Sequence, residues 1–139
     1  MSRTFEYSLH VPYADIDGMG IVYYANYYVY FEMARAALLR EINLPYGEME
    51  AQGVMLPVVE SHCEYKQSAR YDDELVVYST CLPFKGPRLR IEYEVTRGAD
   101  RIATGYTHHV CMSPAGKILR PTAALLTLCG SSPPHCGTR

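Results

Sequence analysis

The chain has no tryptophan and only three phenylalanines among its 139 residues, against 13 tyrosines. Tyrosine suits places where a ring is buried while its hydroxyl still reaches a partner, such as strand faces, interfaces and ligand grooves. The five cysteines, Cys63, Cys81, Cys111, Cys129 and Cys136, are odd in number and never spaced Cys-x-x-Cys. Three of them fall inside strand-like runs, so the expectation is reduced, buried thiols and not a disulfide scaffold. No apolar run approaches the roughly 20 residues that span a bilayer, which excludes membrane insertion. A net charge of −2 provides no surface-wide field for nucleic acid or anionic lipid. The segment Met1-Ser2-Arg3-Thr4-Phe5-Glu6 lacks a signal peptide's apolar core, and the expected location is the cytoplasm.

Metal-ligand spacing is also missing. His108 and His109 are adjacent, as are His62 and Cys63, so on a strand each pair points to opposite faces. A calcium loop beginning at Asp15 would need an oxygen ligand where Met19 stands and an acid where Asn26 stands. The sequence therefore implies neither a metal site nor a cofactor.

Hydrophobic residues make up 48% of the chain and charged residues 20%, the balance of one globular domain with a core. Thr4 to Val11 alternates and reads as a first strand, ended by Pro12. Asn26 to Ile42 reads as a long helix, with Tyr27, Phe31, Ala34, Leu38 and Ile42 on one face. Tyr28, Val29, Met33 and Leu39 make its other faces apolar too, which predicts a helix more covered than one sheet can manage. Glu32 and Arg35 within it are expected to form an ion pair or an interface hydrogen bond.

From Val54 the period changes to two. Strands are expected over Val54 to Ser68, Glu74 to Phe84, Arg88 to Arg97 and Arg101 to Ser113. Arg88 to Arg97 is the clearest, with Leu89, Ile91, Tyr93 and Val95 alternating against charged residues. A short helix is expected between Pro121 and Leu128. The fold class is α+β, one domain over 1–129, followed by a disordered tail over 130–139.

Between the first strand and the helix lies Tyr13-Ala14-Asp15-Ile16-Asp17-Gly18-Met19-Gly20-Ile21-Val22-Tyr23-Tyr24-Ala25-Asn26-Tyr27. Two acids and two glycines bend the chain just ahead of a helix N-terminus. A carboxylate beside unpaired backbone N–H groups supplies a base or nucleophile and an electrophilic site in one segment. Asp-Ile-Asp-Gly is also ordinary turn chemistry, so spacing alone leaves a structural role open for both acids.

This segment, with Phe31-Glu32-Met33-Ala34-Arg35 and Ser68-Ala69-Arg70-Tyr71-Asp72-Asp73, resembles the hotdog-fold acyl-CoA thioesterases. The likeness runs from about Phe5 to Leu125. It points to the branch of 4-hydroxybenzoyl-CoA thioesterase and the Tol-Pal-associated thioesterases. The resemblance implies a curved antiparallel sheet wrapped round one long helix. It also implies a homo-oligomer, a dimer or tetramer, with active sites between subunits. It further implies an acyl-CoA substrate, with Asp17 as nucleophile or general base and the Tyr24 backbone N–H polarising the thioester carbonyl. Tyr24 stands where many Tol-Pal-associated members carry histidine, so its side chain is expected to shape the acyl pocket. Asp15 is expected to be a turn former. Tyr13 and Tyr23 are expected near the acyl group, and Lys85, Arg88 and Arg120 are candidates to meet the CoA phosphates. Arg90 is read as part of a solvated strand face. Two alternatives stand beside this reading: a thioesterase for acyl-carrier protein, and a non-catalytic acyl-CoA sensor.

Overall fold

The computed structural model describes residues 3–130, so most of the expected tail lies outside the described residues. The elements in order are β1 (Thr4–His10), α1 (Asn26–Glu41), α2 (Tyr46–Ala51), β2 (Val58–Tyr65), β3 (Glu74–Cys81), β4 (Arg88–Arg97), β5 (Asp100–Met112), β6 (Ile118–Leu119) and α3 (Ala123–Leu128). One turn of 3-10 helix, Tyr13–Asp15, follows β1. The sheet order is β1-β3-β4-β5-β2, with β6 added to the end of β5. Every pairing is antiparallel.

Strand β4 forms as its pattern predicts, with Leu89, Ile91, Tyr93 and Val95 buried on the inner face. Gly86, at φ +57°, opens the two-residue turn from Lys85 to Arg88, the position that requires positive φ in a hairpin of this kind. Helix α1 lies over β1 and β3. Its Phe31 ring stacks on Tyr93 with centroids 4.3 Å apart and planes within 5°. Gly105 in β5 makes this close approach possible, because a Cβ there would meet the His62 carbonyl and come within 2.7 Å of the Phe31 ring.

Arg35 departs from expectation. It is buried, and no ion pair with Glu32 forms among the described residues. Its Nε donates to the Tyr46 hydroxyl at 2.7 Å and its Nη1 to the Tyr93 hydroxyl at 2.9 Å. The contacts continue through Thr107 Oγ1 (2.7 Å) to His109 Nε2 (2.8 Å), and from His109 Nδ1 to the Leu56 carbonyl (3.1 Å). A carbonyl can only accept, so Nδ1 carries the His109 proton and Nε2 accepts from Thr107. Thr107 therefore accepts from Tyr93. Glu32 instead faces solvent.

The helix is also less covered than its sequence implies. Val29 keeps 46% of its surface exposed in the single chain. Strand β2, at the edge of the sheet, is exposed along nearly its whole length.

Candidate active site

The Asp/Gly segment folds into a tight loop. Ile16 and Val22 bridge antiparallel at its base. Inside it the Asp17 N–H donates to the Ile21 carbonyl and the Gly20 N–H to the Asp17 carbonyl, both at 2.9 Å. Gly20, at φ +79°, takes the left-handed conformation that closes the turn. The loop is held against the β2–β3 connection, because the Val22 N–H donates to the Ala69 carbonyl at 2.9 Å. Arg70 Nη1 reaches the Gly20 carbonyl at 3.4 Å.

The two oxygens of Asp17 differ. Oδ1 accepts from the Met19 N–H at 2.8 Å, the side-chain turn that aspartate favours. Oδ2 has no hydrogen-bond partner among the described residues. Helix α1 begins directly after the loop, and its N-cap, Ala25, offers no side-chain cap. Asn26, expected as a possible helix starter, turns its amide back to the Asp15 carbonyl at 3.1 Å. The Tyr23 N–H is taken by the same carbonyl at 2.9 Å. Among the described residues no acceptor meets the N–H of Tyr24 or Ala25. A helix N-terminus left open in this way favours negative charge.

Tyr23 and Tyr24 are packed together, with centroids 4.8 Å apart. Both are exposed, and Tyr13, 76% exposed, stands edge-on to Tyr71. Tyr65 was not picked out in the sequence. Its hydroxyl donates to the Tyr24 carbonyl at 3.4 Å and its ring meets Tyr24 edge-on. A strand tyrosine so far along the chain carries no local signal of that contact. A cavity of about 180 Å³ opens here, lined by Ile21, Val22, Tyr24, Tyr27, Tyr65, Lys66, Gln67 and Ser68.

Three phenols here, Tyr23, Tyr27 and Tyr65, are shifted upward. Hydrogen bonding with Tyr24, and lastly the Asp17 charge, raise the Tyr23 hydroxyl above the usual phenol range. Burial pushes Tyr27 up to about 12, and burial also raises Tyr65. None of these three can serve as a base near neutral pH.

The expected phosphate-binding cations lie elsewhere. Asp17, Tyr13, Tyr23 and Tyr24 sit at the end of the sheet where β1 stops and β4 and β2 finish. Lys85 and Arg88 occupy the opposite end, and Arg120 follows β6, which pairs with the far end of β5. The ten residues of β4 span roughly 30 Å at about 3.4 Å each. One chain therefore does not bring these cations to Asp17. Arg88 contacts Glu60 at 3.3 Å. Arg90 pairs with Glu92 at 3.0 Å and covers the Tyr106 ring, in keeping with a strand-face role. A wider depression of about 620 Å³ crosses the outer sheet face among His62, Glu64, Arg90, Glu92, Glu94 and Arg101. It mixes charges of both signs and does not include the Asp17 loop.

No helix among the described residues is long and apolar enough to cross a membrane. Nor do His, Cys, Asp or Glu side chains cluster there in a metal-holding group.

Residues 11–124 match the model of the thioesterase-like superfamily. The chain is 34% identical to the Bacillus subtilis protein YneP over 105 residues, 75% of this chain and 76% of that one. It is 29% identical to the Haemophilus influenzae acyl-CoA thioesterase YbgC over 124 residues, 88% and 90% of the two chains. Among solved structures, a 1,4-dihydroxy-2-naphthoyl-CoA thioesterase from Synechocystis superposes with a TM-score of 0.86. Its identity is 27%, covering 92% of this chain and 96% of that one. The chain belongs to the thioesterase-like superfamily and has the hotdog fold of its acyl-CoA thioester hydrolases.

Proposed function

We propose that the protein hydrolyses an acyl-CoA thioester to a free acid and CoA, with Asp17 at the reacting centre. The observation that carries this reading is the pairing of an unengaged carboxylate oxygen, Asp17 Oδ2, with an unpaired backbone N–H at Tyr24 on the same short segment. The thioester oxygen accepts from that N–H, and the helix N-terminus favours the charge it gains in the transition state. Oδ2 then either attacks the carbonyl carbon or takes a proton from the water that does. CoA thiolate is a good leaving group and needs no strong acid. Tyr13, Tyr23 and Tyr24 surround the acyl group. The names of relatives such as the acyl-CoA thioesterase of Haemophilus influenzae support the substrate class.

The protein acts as a homodimer or a larger even assembly, in the cytoplasm. Val58 and Val59 are 45% and 48% exposed on the unpaired edge of β2, an edge that soluble proteins normally cover. Two-fold antiparallel pairing of β2 with a second copy sets the Lys85, Arg88 and Arg120 end of one sheet beside the Asp17 end of the other. Those three cations then meet the CoA phosphates across the interface.

The test is thiol release over a panel of short, medium, long and aromatic acyl-CoAs, run on the parent and on Asp17→Asn. The parent is expected to turn over at least one class and the variant to lose roughly 100-fold or more. Full activity in Asp17→Asn would remove Asp17 from the mechanism. Binding of CoA esters by both proteins without turnover would favour a sensor. Turnover confined to acyl-carrier-protein esters would change the carrier.

A further inference from the structure

The acid that the catalytic reading leaves unused is Asp15. Its carboxylate Oδ2 accepts from the Tyr30 hydroxyl at 2.8 Å. Tyr30 lies one turn inside α1, only 1% exposed, with its ring edge-on to Tyr27. The hydroxyl is thus held by packing and not by solvent. Burial and the Asp15 carboxylate raise its pKa, so it remains a donor. The Asp15 carbonyl accepts two further bonds, from the Tyr23 N–H and from the Asn26 side-chain amide. Its N–H donates to the Pro12 carbonyl at 3.1 Å. One residue is therefore tied to the end of β1, to the first and second turns of α1, and to the peptide just before Tyr24.

We infer that Asp15 and Tyr30 are a positioning pair that fixes the distance between Asp17 Oδ2 and the Tyr24 N–H. This rests on the thioesterase reading. Asp17 follows Asp15 by two residues, and Tyr24 follows Tyr23, whose N–H Asp15 holds. Movement of Asp15 against the helix displaces the attacking oxygen and the oxyanion donor relative to each other. The Tyr30 hydroxyl couples that movement to the rigid core. Neither side chain of the pair touches substrate, since the carboxylate is turned to a buried ring. Misplacement of reacting groups by about 1 Å can cost on the order of 100-fold in rate.

Tyr30→Phe removes only the hydroxyl oxygen. We expect kcat per folded molecule to fall roughly 10- to 100-fold while KM stays within about twofold. Asp15→Ala should match it, and the double variant should be no worse than either single. Asp15→Asn still offers an oxygen to Tyr30 and should keep kcat within about fivefold of the parent. An unchanged kcat in Tyr30→Phe, or losses that multiply in the double variant, would overturn the inference. A merely structural pair would lower the unfolding temperature and leave kcat per folded molecule alone. Parent and Asp17→Asn on the same substrates test the thioesterase reading separately. If the parent turned over nothing, amide exchange over residues 15–24 would still decide. Faster exchange confined to this segment, at Asp17 and Tyr23, in Tyr30→Phe upholds the pair, and exchange that is unchanged or faster throughout the fold refutes it.

Discussion

The two oxygens of the Asp17 carboxylate stand in different surroundings. One oxygen closes the turn through the Met19 N–H, and the other is left unengaged. Gly105 is the counterpart in the core, where the constraint is space. A methyl there strikes the His62 carbonyl and the Phe31 ring, and the nearer of these is backbone. Gly105→Ala should therefore destabilise the protein by at least about 2 kcal/mol, the scale of overpacking a core. The midpoint of urea unfolding measures it. The turn around Asp17 was legible in the sequence because its loop is local and its turn residues lie side by side. Tyr30 and Tyr65 were not, since a phenol's partner depends on which distant backbone the fold brings near. Arg35 takes hydrogen bonds in place of the alternative ion pair for the same reason. Its helical neighbour Glu32 was visible in the sequence, whereas Tyr93, 58 positions away, was not.

Among the elements, β4 follows its expected range because its two faces differ clearly in polarity, and α1, apolar on most of its faces, ends within a residue of the expected bound because its length and residue types favour a helix. Strand β2 is shorter than its pattern. Met55 makes only an isolated bridge to Met112, the Leu56 carbonyl is diverted to His109, and Pro57 has no N–H to pair. Two residues, Ile118 and Leu119, are too few to show a period, so β6 was missed. The start of α1 was legible as a position but not as an uncapped one, since Asn26 is ordinary capping chemistry and is used elsewhere. The exposed edge of β2 carries the element-scale prediction. Val59→Lys places a charge where a second copy should pair. Sedimentation velocity should show the parent as a dimer or larger and the variant shifted towards monomer, with thioesterase activity falling alongside.

At the scale of the whole molecule, the hydrogen-bonded path from Tyr46 through Arg35, Tyr93, Thr107 and His109 to Leu56 joins α2, α1, β4, β5 and the entry to β2. Its weak point is acid. Burial, and then the Arg35 charge, hold the His109 imidazole at about 4, below the 6.5 of an unfolded histidine. Between these values the unfolded chain binds a proton that the folded chain refuses. Stability from this group is therefore complete above pH 6.5 and is lost as pH falls towards 4, by on the order of 3 kcal/mol. Denaturant midpoints at pH 7 and pH 4.5 should drop steeply in the parent and less in His109→Gln, which cannot take up that proton.

The separation of Asp17 from Lys85, Arg88 and Arg120 along the sheet has a genetic consequence. If each working centre borrows its cations from the neighbouring copy, lesions at the two ends belong to different complementation groups within one gene. Asp17→Asn and Arg88→Ala protomers, each poor alone, should regain activity when unfolded and refolded together. A mixed dimer then holds one centre with both faults and one with neither. Random pairing of equal amounts restores roughly a quarter of all centres, so two defective alleles in one cell would yield a working enzyme.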